Sequence, residues 1–323
     1  EGDEFVGDRA SNRAFYAIVD ELREKLRAYD EDPLGDVETG EIGKAKLNKI
    51  LTGDNVEAAA LVQGAVEKFA GELAFVTRRF LRLKDWRDTQ RIVVGGGFRQ
   101  SRLGELAITR AEQMLKEEDL AIDLVPISNH PDEAGLIGAA HLAPSWVLAG
   151  HESMLAVDIG GSNIRAGVVK LGLKKNPDLS KAKVWKAILW RHVEDKPDRQ
   201  QAVDRMVAML IELIESATKE KLALAPFIGI GCPGLIREDG SIDRGGQNLP
   251  GNWESARFNL PQLLRDEMPK IAGHGPAIVM HNDAVVQGLS EVPSMADIER
   301  WGVFTIGTGL GNARFTNREA SGK

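Results

Sequence analysis

The sequence predicts an α/β protein built of two lobes. Two stretches, residues 155–169 and 303–315, share one design, in which a β-type run enters a glycine turn and a second β-type run follows. Helical and extended patterns alternate along the rest of the chain, as in α/β proteins. At 323 residues the chain can bury a large core and is long enough for two lobes.

The first part of the chain alternates helix and strand. Ser11 can cap a helix whose apolar residues Phe15, Val19 and Leu22 share one face, which predicts a helix over residues 11–29. Residues 30–54 are rich in Asp, Glu, Gly and Asn and indicate a surface connection. The further predicted elements are a helix over 56–83, a strand over 91–94, a helix over 103–117 and a strand over 122–127.

The middle of the chain continues the alternation. Residues 134–143 form a helical pattern rich in Gly and Ala, which close helix packing explains. The remaining predicted elements are a linker over 144–153, a strand over 184–192, a strongly amphipathic helix over 200–219, a strand from 277 to 283 and a helix over 284–291.

Composition excludes several classes of protein. The net charge of −7 offers no basic surface for nucleic acid, and no apolar run is long enough to span a membrane. The single cysteine, Cys232, rules out an intramolecular disulfide and fits a reducing, cytoplasmic location. We therefore expect a cytoplasmic protein with a small-molecule ligand, and neither a nucleic-acid nor a membrane partner.

Three glycine turns are candidate ligand-binding loops. Glycine leaves backbone N–H groups accessible, and such groups can lie against phosphate oxygens. Turn A consists of Gly95, Gly96 and Gly97; turn B of Gly160, Gly161, Ser162 and Asn163; and turn C of Gly307, Thr308 and Gly309, flanked by Thr305 and Gly311. Asp158, at the strand end beside turn B, is placed to hold Mg²⁺ directly or through water.

Each turn also has an ordinary structural interpretation. Turn A could simply connect a strand to a helix. Turn B could be a hairpin with a polar tip, in which consecutive glycines permit positive φ and a tight reversal. The residues of a single turn do not decide between these interpretations and ligand binding.

Two nucleotide motifs are excluded. Gly229, Gly231 and Gly234 satisfy the spacing G-x-G-x-x-G, but Pro233 and the residues that follow do not continue as the helix that a dinucleotide site requires. The pattern G-x-x-x-x-G-K-[ST] is absent from the sequence, which excludes a P-loop.

Asn282 and Asp283 end a predicted strand and precede a predicted helix. Asp283 could be the N-cap of that helix. It could also be a catalytic base, because a carboxylate at the positive end of a helix stays ionised and can accept a proton from a hydroxyl group. The two roles are compatible.

These motifs together resemble the ROK family (repressor, open reading frame, kinase), which includes bacterial glucokinases of the actin-like ATPase and sugar kinase superfamily. Turns B and C are similar to its phosphate-1 and phosphate-2 hairpins, turn A to its adenosine motif, and residues 134–143 to its closing helix. Gly231-Cys-Pro-Gly234 and Gln247-Asn-Leu-Pro-Gly-Asn-Trp253 resemble its sugar-cleft loops. The N-D-A segment at Asp283 resembles its catalytic segment.

The resemblance implies two ribonuclease-H-like lobes with a nucleotide and sugar cleft between them. It implies an ATP- and Mg²⁺-dependent kinase that phosphorylates a hydroxyl of a hexose or amino sugar such as glucose. Asp283 would be the base, and Asp158 would hold Mg²⁺. The residues implied to bind sugar are Gly234, Asn248 and Asn282, and the three turns would bind ATP.

The order of the motifs differs from that of the family. The adenosine motif and the closing helix come first here, and phosphate-2 comes last, which a circular permutation explains. The predicted lobes are residues 1–150 with 292–323, and residues 151–291. A permutation predicts that Glu1 and Lys323 lie on one lobe and that turns A and C face one nucleotide pocket.

Two departures from the family bear on function. The zinc site of the family needs three cysteines, so one cysteine predicts no structural zinc. The family's Glu-x-Gly-His sugar-binding element is missing, since Glu41-Ile-Gly-Lys44 has Lys in place of His and is not assigned. The alternative function is therefore a sugar sensor that binds ligand without turnover. The sequence leaves the oligomeric state open, a homodimer included.

Overall fold

The computed structural model describes residues 6–99 and 101–318. The chain divides into two compact units. Unit 1 comprises the residues up to Pro131 together with those from Ile298 onward, and unit 2 comprises Asp132–Asp297. Unit 2 is therefore continuous in sequence and separates the two segments of unit 1.

Unit 1 combines helices with a four-stranded sheet in the order β11-β10-β1-β2. Strand β10 is antiparallel to β11 and parallel to β1, which is parallel to β2. The elements are α1 (Asn12–Arg27), α2 (Lys44–Leu51), α3 (Val56–Leu81), β1 (Arg91–Gly95), α4 (Arg102–Glu117), β2 (Asp123–Pro126), β10 (Arg300–Ile306) and β11 (Leu310–Thr316), with 3₁₀ turns at Val6–Ala10 and Thr39–Glu41.

The core of unit 1 forms where α1 and α3 pack beside the sheet. Asn55 caps α3 by accepting a hydrogen bond from the N–H of Ala58, and the helix then buries an alanine-rich face. Phe15, Phe69 and Phe98 form an aromatic cluster in this core, with ring centroids 4.7 to 5.6 Å apart. This cluster places the residues that follow turn A against the first helix.

Unit 2 is built on a five-stranded sheet in the order β5-β4-β3-β6-β9. Strands β3, β4 and β5 are antiparallel neighbours, whereas β6 and β9 run parallel to β3. The elements are α5 (Pro131–Ala139), α6 (Ser145–Leu148), β3 (Ser153–Ile159), β4 (Ile164–Lys170), β5 (Lys183–Trp190), α7 (His192–Asp195), α8 (Arg199–Lys219), β6 (Leu224–Cys232), β7 (Leu235–Ile236), β8 (Ile242–Arg244), α9 (Leu260–Glu267), β9 (Ala277–Asn282) and α10 (Asp283–Leu289), with 3₁₀ turns at Ala140–Leu142 and Val292–Ser294.

The strand order confirms the predicted fold class. Numbered along the chain, the strands of unit 2 lie in the order 3-2-1-4-5, with the first three antiparallel and the last two parallel to the first. This is the ribonuclease-H-like arrangement of actin-like ATPases. In unit 1, β10 and β11 take positions 1 and 2, and β1 and β2 take positions 4 and 5. The described residues of unit 1 contain no counterpart of the third strand.

The unit boundaries differ from the prediction for residues 132–150 and 292–297, which belong to unit 2. For residues 132–139, the reason is the close packing of α5 in that unit. A Cβ atom at Gly138 would lie 1.7 Å from the carbonyl oxygen of Val286, and one at Gly229 would lie 2.5 Å from that of Ala139. The small residues of α5 thus allow backbone to approach backbone, as the sequence predicted for a closely packed helix.

The structure also corrects the predicted connection over residues 30–54, because α2 and a 3₁₀ turn form within it. The sequence likewise did not predict the short helices α6 and α7, since four residues are too few to show a helical period. Glu1 and Lys323, whose proximity a permutation predicts, lie outside the described residues.

The packing of α5 makes a testable prediction about two helical glycines. Gly138→Ala should destabilise unit 2 by about 1–3 kcal/mol, because the added methyl group overlaps backbone atoms that cannot rotate away. Gly71→Ala is the matched control: a Cβ atom there meets nothing within 4 Å, so the change should stabilise α3 by about 0.5–1 kcal/mol. Urea unfolding followed by circular dichroism measures both. Equal effects of the two substitutions would contradict the close packing.

Candidate functional site

The candidate site of unit 2 lies where three parallel strands end. Asp158 of β3 is beside Gly231 of β6, and Cys232 of β6 is beside Asn282 of β9. The carboxyl ends of parallel strands meet at one edge of a sheet, which is where α/β proteins bind ligands. This edge therefore brings together Asp158, turn B, the loop after β6 and the start of α10.

Turn B connects β3 to β4, and the carbonyl groups of Gly160, Ser162 and Asn163 accept hydrogen bonds. The N–H of Gly160 donates to the carbonyl of Asn163 at 2.8 Å, and the carbonyl of Gly160 accepts a hydrogen bond from Nε2 of buried His192 at 2.9 Å. Among the described residues, the N–H groups of Gly161, Ser162 and Asn163 have no hydrogen-bond partner. Turn B can therefore donate to an anion.

The conformation of turn B differs from the expected one. Neither Gly160 nor Gly161 is among the described glycines with positive φ, so the reversal does not use the left-handed region. The turn has four residues between the strands, which is long enough to reverse without it. Glycine is instead favoured by space, because a Cβ atom at Gly160 would lie 3.3 Å from the carbonyl oxygen of Asn163.

Asp158 is a buried carboxylate, only 5% exposed. Nη1 of Arg165 lies 3.8 Å from its Oδ2, and Arg165 also pairs with Asp132 of α5. Helix α5 covers the group closely, since a Cβ atom at Gly135 would lie 2.5 Å from the Cγ of Asp158. Burial raises the pKa of Asp158, the positive charge of Arg165 opposes that rise, and the negative charge of Asp132 adds to it.

The residues around Asp158 fit a Mg²⁺ ion that is held mainly by ligands other than protein. No group of three or more His, Cys, Asp or Glu side chains that could hold a metal occurs in the described part of the chain. Mg²⁺ commonly takes one or two carboxylates and completes its shell with phosphate oxygens and water. Asp158 can supply such a carboxylate, although Arg165 competes for one of its oxygens.

The structure decides which residue caps α10, and the suggestion that Asp283 is the N-cap is wrong. Asn282 is the cap: its Oδ1 accepts hydrogen bonds from the N–H of Ala284 at 3.0 Å and of Val285 at 3.2 Å. Asp283 is the first residue of the helix. Both are short polar residues that cap helices well, so local sequence could not choose between adjacent positions.

Asp283 combines partial exposure with a desolvated carboxyl group. Burial, followed by the negative charge of Asp158, raises the pKa of Asp283 to about 6, while a hydrogen bond from the N–H of Ala284 at 2.9 Å opposes the rise. A carboxylate whose pKa is near the working pH is well suited to accept and release a proton.

Asn282 also ties α10 to the loop after β6. Its Nδ2 donates to the carbonyl of Gly234 at 2.9 Å. Gly234 has φ of +103°, and a Cβ atom there would lie 2.6 Å from the carbonyl oxygen of Arg244, so this position requires glycine. Gly245 packs directly against Gly234. The amide of Asn282 is thus largely engaged in holding the site together.

Asn248 lies in the turn that begins shortly after Gly245, and its side chain is exposed. Leu249 and Trp253, which follow Asn248, are buried, and Nε1 of Trp253 donates to the carbonyl of Pro250 at 2.6 Å. The two apolar side chains fix the loop while leaving Asn248 available. The structure therefore joins Asn282 to Gly234 directly, and Asn248 lies three residues after Gly245, which packs against Gly234.

Turns A and C are neighbours in unit 1. Gly95 is beside Thr305 in the register of β1 and β10, and a Cβ atom at Gly96 would lie 2.5 Å from the carbonyl oxygen of Ile306. Gly96 has φ of +85°, so glycine is required at this contact. Gly311 opposes Thr305 on the other side, in β11.

Three residues that sequence analysis did not assign hold these two turns. The N–H of Asn12, at the start of α1, donates to the carbonyl of Gly307 at 2.9 Å, and Nε of Arg13 donates to that of Thr308 at 3.2 Å. Nζ of Lys44 donates to the carbonyl of Gly97 at 2.9 Å. The capping pattern at Ser11 predicted the start of α1, but nothing local indicated which turn that start would contact.

No helix in the described ranges is both long and apolar enough to cross a membrane. No family model matches the sequence, and no curated protein matches it significantly.

Solved structures show partial similarity. A Listeria monocytogenes protein proposed to be an N-acetylmannosamine kinase is 24% identical over 51% of this chain and 47% of its own, with a TM-score of 0.37. A Cytophaga hutchinsonii protein proposed to be a sugar kinase is 21% identical over 51% and 48%, also with a TM-score of 0.37. An exopolyphosphatase from Cytophaga hutchinsonii is 17% identical over 60% and 55%, with a TM-score of 0.24. The chain thus spans about half the length of these structures. Its own strand order and register, described above, establish its fold.

The environment of Asp283 predicts how its substitution changes stability. The raised pKa means that the folded protein binds this proton more tightly than the unfolded chain, so the contribution of Asp283 to wild-type stability falls as pH rises from about 4 to about 6. Asp283→Asn cannot ionise and should be more stable than wild type above pH 6, with the difference shrinking towards pH 4. Urea unfolding across this range measures it, with exposed Asp297→Asn as control. A difference independent of pH would contradict the shift.

Proposed function

We propose that the chain is an ATP- and Mg²⁺-dependent sugar kinase that phosphorylates a hydroxyl of a hexose or amino sugar such as glucose. The observation that carries the proposal is the strand edge of unit 2, where Asp283, with a pKa of about 6, lies beside the loop after β6 and near the buried carboxylate of Asp158. Phosphoryl transfer depends mainly on positioning and on stabilising charge, and free N–H groups beside carboxylates supply both.

In the proposed reaction, Asp283 accepts the proton of the attacking sugar hydroxyl. The hydroxyl oxygen forms a bond to the γ-phosphorus of ATP while the bond from that phosphorus to the bridging oxygen breaks, and ADP leaves. The proton on Asp283 then returns to solvent. Bound Mg²⁺ would neutralise charge on the phosphates, with Asp158 as its protein ligand. Turns A, B and C bind the nucleotide in this proposal.

Asn282 acts in this proposal mainly as a positioning residue. Its Oδ1 caps α10 and its Nδ2 holds Gly234, which leaves one N–H of the amide for a sugar hydroxyl. Asn248 is more accessible and is the residue that we propose for direct contact with sugar. Because Asn282 precedes Asp283, its two structural contacts also fix the direction of the catalytic carboxylate.

We further propose that the chain is a circular permutation of a ROK-like kinase without structural zinc. The support is that strands from both ends of the sequence complete one sheet, in which turns A and C are adjacent. Zinc analysis of purified protein tests the second part, since the single cysteine leaves the ROK ligand set incomplete.

One observation favours a second function, a sugar sensor that does not turn over. Asp158 is already paired with Arg165 and closely covered by α5, so a cation must compete with an internal partner. A coupled assay of ADP release across hexoses and N-acetylated amino sugars separates the two functions. ADP release with any sugar supports the kinase, whereas sugar binding without ADP release supports the sensor.

Substitution of Asp283 tests its role as base. Asp283→Asn should lower kcat by about 10²-fold or more, because the amide cannot accept the proton. Asp297→Asn, which removes an exposed carboxylate of unit 2, should leave kcat unchanged. The helix cap survives in both variants because Asn282 provides it. Normal turnover by Asp283→Asn would show that Asp283 is not the base.

The pH dependence of the wild-type rate gives an independent test. The base must be ionised, so kcat/KM should rise with pH and level off above about pH 6, the pKa of Asp283 in the free protein. An ordinary aspartate would give this rise near pH 4. The measurement is kcat/KM at saturating Mg²⁺ from pH 4.5 to 8. A flat profile down to pH 5 would mean that another group accepts the proton.

A further inference from the structure

Lys44, at the start of α2, is held in place by an unusually well-connected segment. Buried Arg23 donates hydrogen bonds to Thr39 at 2.6 Å and to the carbonyls of Gly35 and Val37, each at 2.7 Å. The hydroxyl of Tyr16 donates to the carbonyl of Ile42 at 3.1 Å. The backbone that leads into Lys44 is therefore fixed at several points, unlike that of an ordinary surface loop.

The ammonium group of Lys44 has only neutral partners. Its Nζ donates to the carbonyl of Gly97 at 2.9 Å and to Oδ1 of Asn12 at 3.3 Å, and no carboxylate among the described residues pairs with it. The side chain is half-buried, and desolvation lowers the pKa of Lys44. By contrast, Lys25 and Lys116 each pair with a glutamate. Lys44 thus carries a partly desolvated charge without a counter-charge.

The position of Lys44 links turns A and C. Its partner Gly97 belongs to turn A, and its partner Asn12 donates its backbone N–H to Gly307 of turn C. In the described structure, the N–H groups of Gly97, Thr308 and Gly309 donate to no residue. The two adjacent turns therefore have free backbone donors, and the ammonium group of Lys44 contacts one of them.

Two other charged groups lie at turn C. Arg13, which is exposed, donates to the carbonyl of Thr308 and adds a second positive charge. The carboxylate of Asp8 also lies at turn C, where a Cβ atom at Gly309 would lie 3.8 Å from its Oδ1. The two turns thus have two positively charged neighbours, Lys44 and Arg13, and one negatively charged neighbour, Asp8.

We propose that Lys44, with the free N–H groups of turns A and C, binds the phosphate chain of a polyphosphate ligand. A compact ammonium group and backbone N–H groups are the usual partners of phosphate oxygens. The phosphate oxygens would supply the counter-charge that the protein does not. That the ligand is a nucleoside triphosphate rests on the proposed function, whereas the anion site itself does not.

Calorimetric titration with ATP and with inorganic tripolyphosphate tests the proposal. Lys44→Met should weaken the binding of both by about 10- to 100-fold, the loss expected for one charge-assisted hydrogen bond. Lys44→Arg should recover most of the affinity because it keeps the charge. Lys46→Met, which removes an exposed lysine of the same helix, should bind as wild type does.

Each result bears on the proposal. It is overturned if wild type binds neither ligand, if Lys44→Met binds as tightly as wild type, or if Lys44→Arg is as weak as Lys44→Met. Thermal unfolding of the free variants adds a control. If Lys44→Met and Lys44→Arg weaken ligand binding equally and both lower the melting temperature, Lys44 only supports the structure of turn A. A wild type that binds tripolyphosphate through Lys44 but phosphorylates no sugar leaves this site standing and overturns the kinase.

Discussion

The contact of α5 with its own sheet is the constraint on which the candidate site depends. Gly138 and Gly229 allow the helix to approach neighbouring backbone, and Gly135 then lies against Asp158. Larger residues would lift the helix and admit water to the carboxylate. Close packing of small residues is thus the cause of the desolvation that raises the pKa of Asp158, and that carboxylate in turn raises the pKa of Asp283.

Two carboxylates at one strand edge have been given different environments. Asp158 has a cationic neighbour, Arg165, which favours its ionised form, whereas the charges around Asp283 oppose ionisation. Such a difference in environment between nearby titratable groups is typical of sites in which one group stabilises charge and the other transfers a proton. The same edge contains Cys232, whose pKa is raised by burial and by both carboxylates, so its thiol stays protonated and unreactive.

Local sequence patterns predicted the elements that they encode, but they did not predict contacts between residues that are distant in sequence. Periodicity and capping residues predicted the long helices, and glycine spacing predicted the turns. Short α2 and α7 showed no period, yet they provide Lys44 and His192, which hold turns A and B. Whether Asn282 or Asp283 caps α10 depends on a one-residue shift that both residues permit. The burial behind the pKa of Asp283 comes from tertiary packing, which no local pattern encodes.

The pairing of β1 with β10 has a consequence for how the protein is made. Ile92 pairs with Gly302, so the whole of unit 2 is synthesised between the two halves of the unit 1 sheet. During translation, the continuous segment Asp132–Asp297 can complete its sheet while β1 and β2 still lack their neighbour. Unit 1 must then close a long loop, which is slow and leaves an open sheet edge exposed. We therefore expect newly made chains to aggregate through the exposed edge of β1 unless β10 pairs with it quickly or another protein covers it.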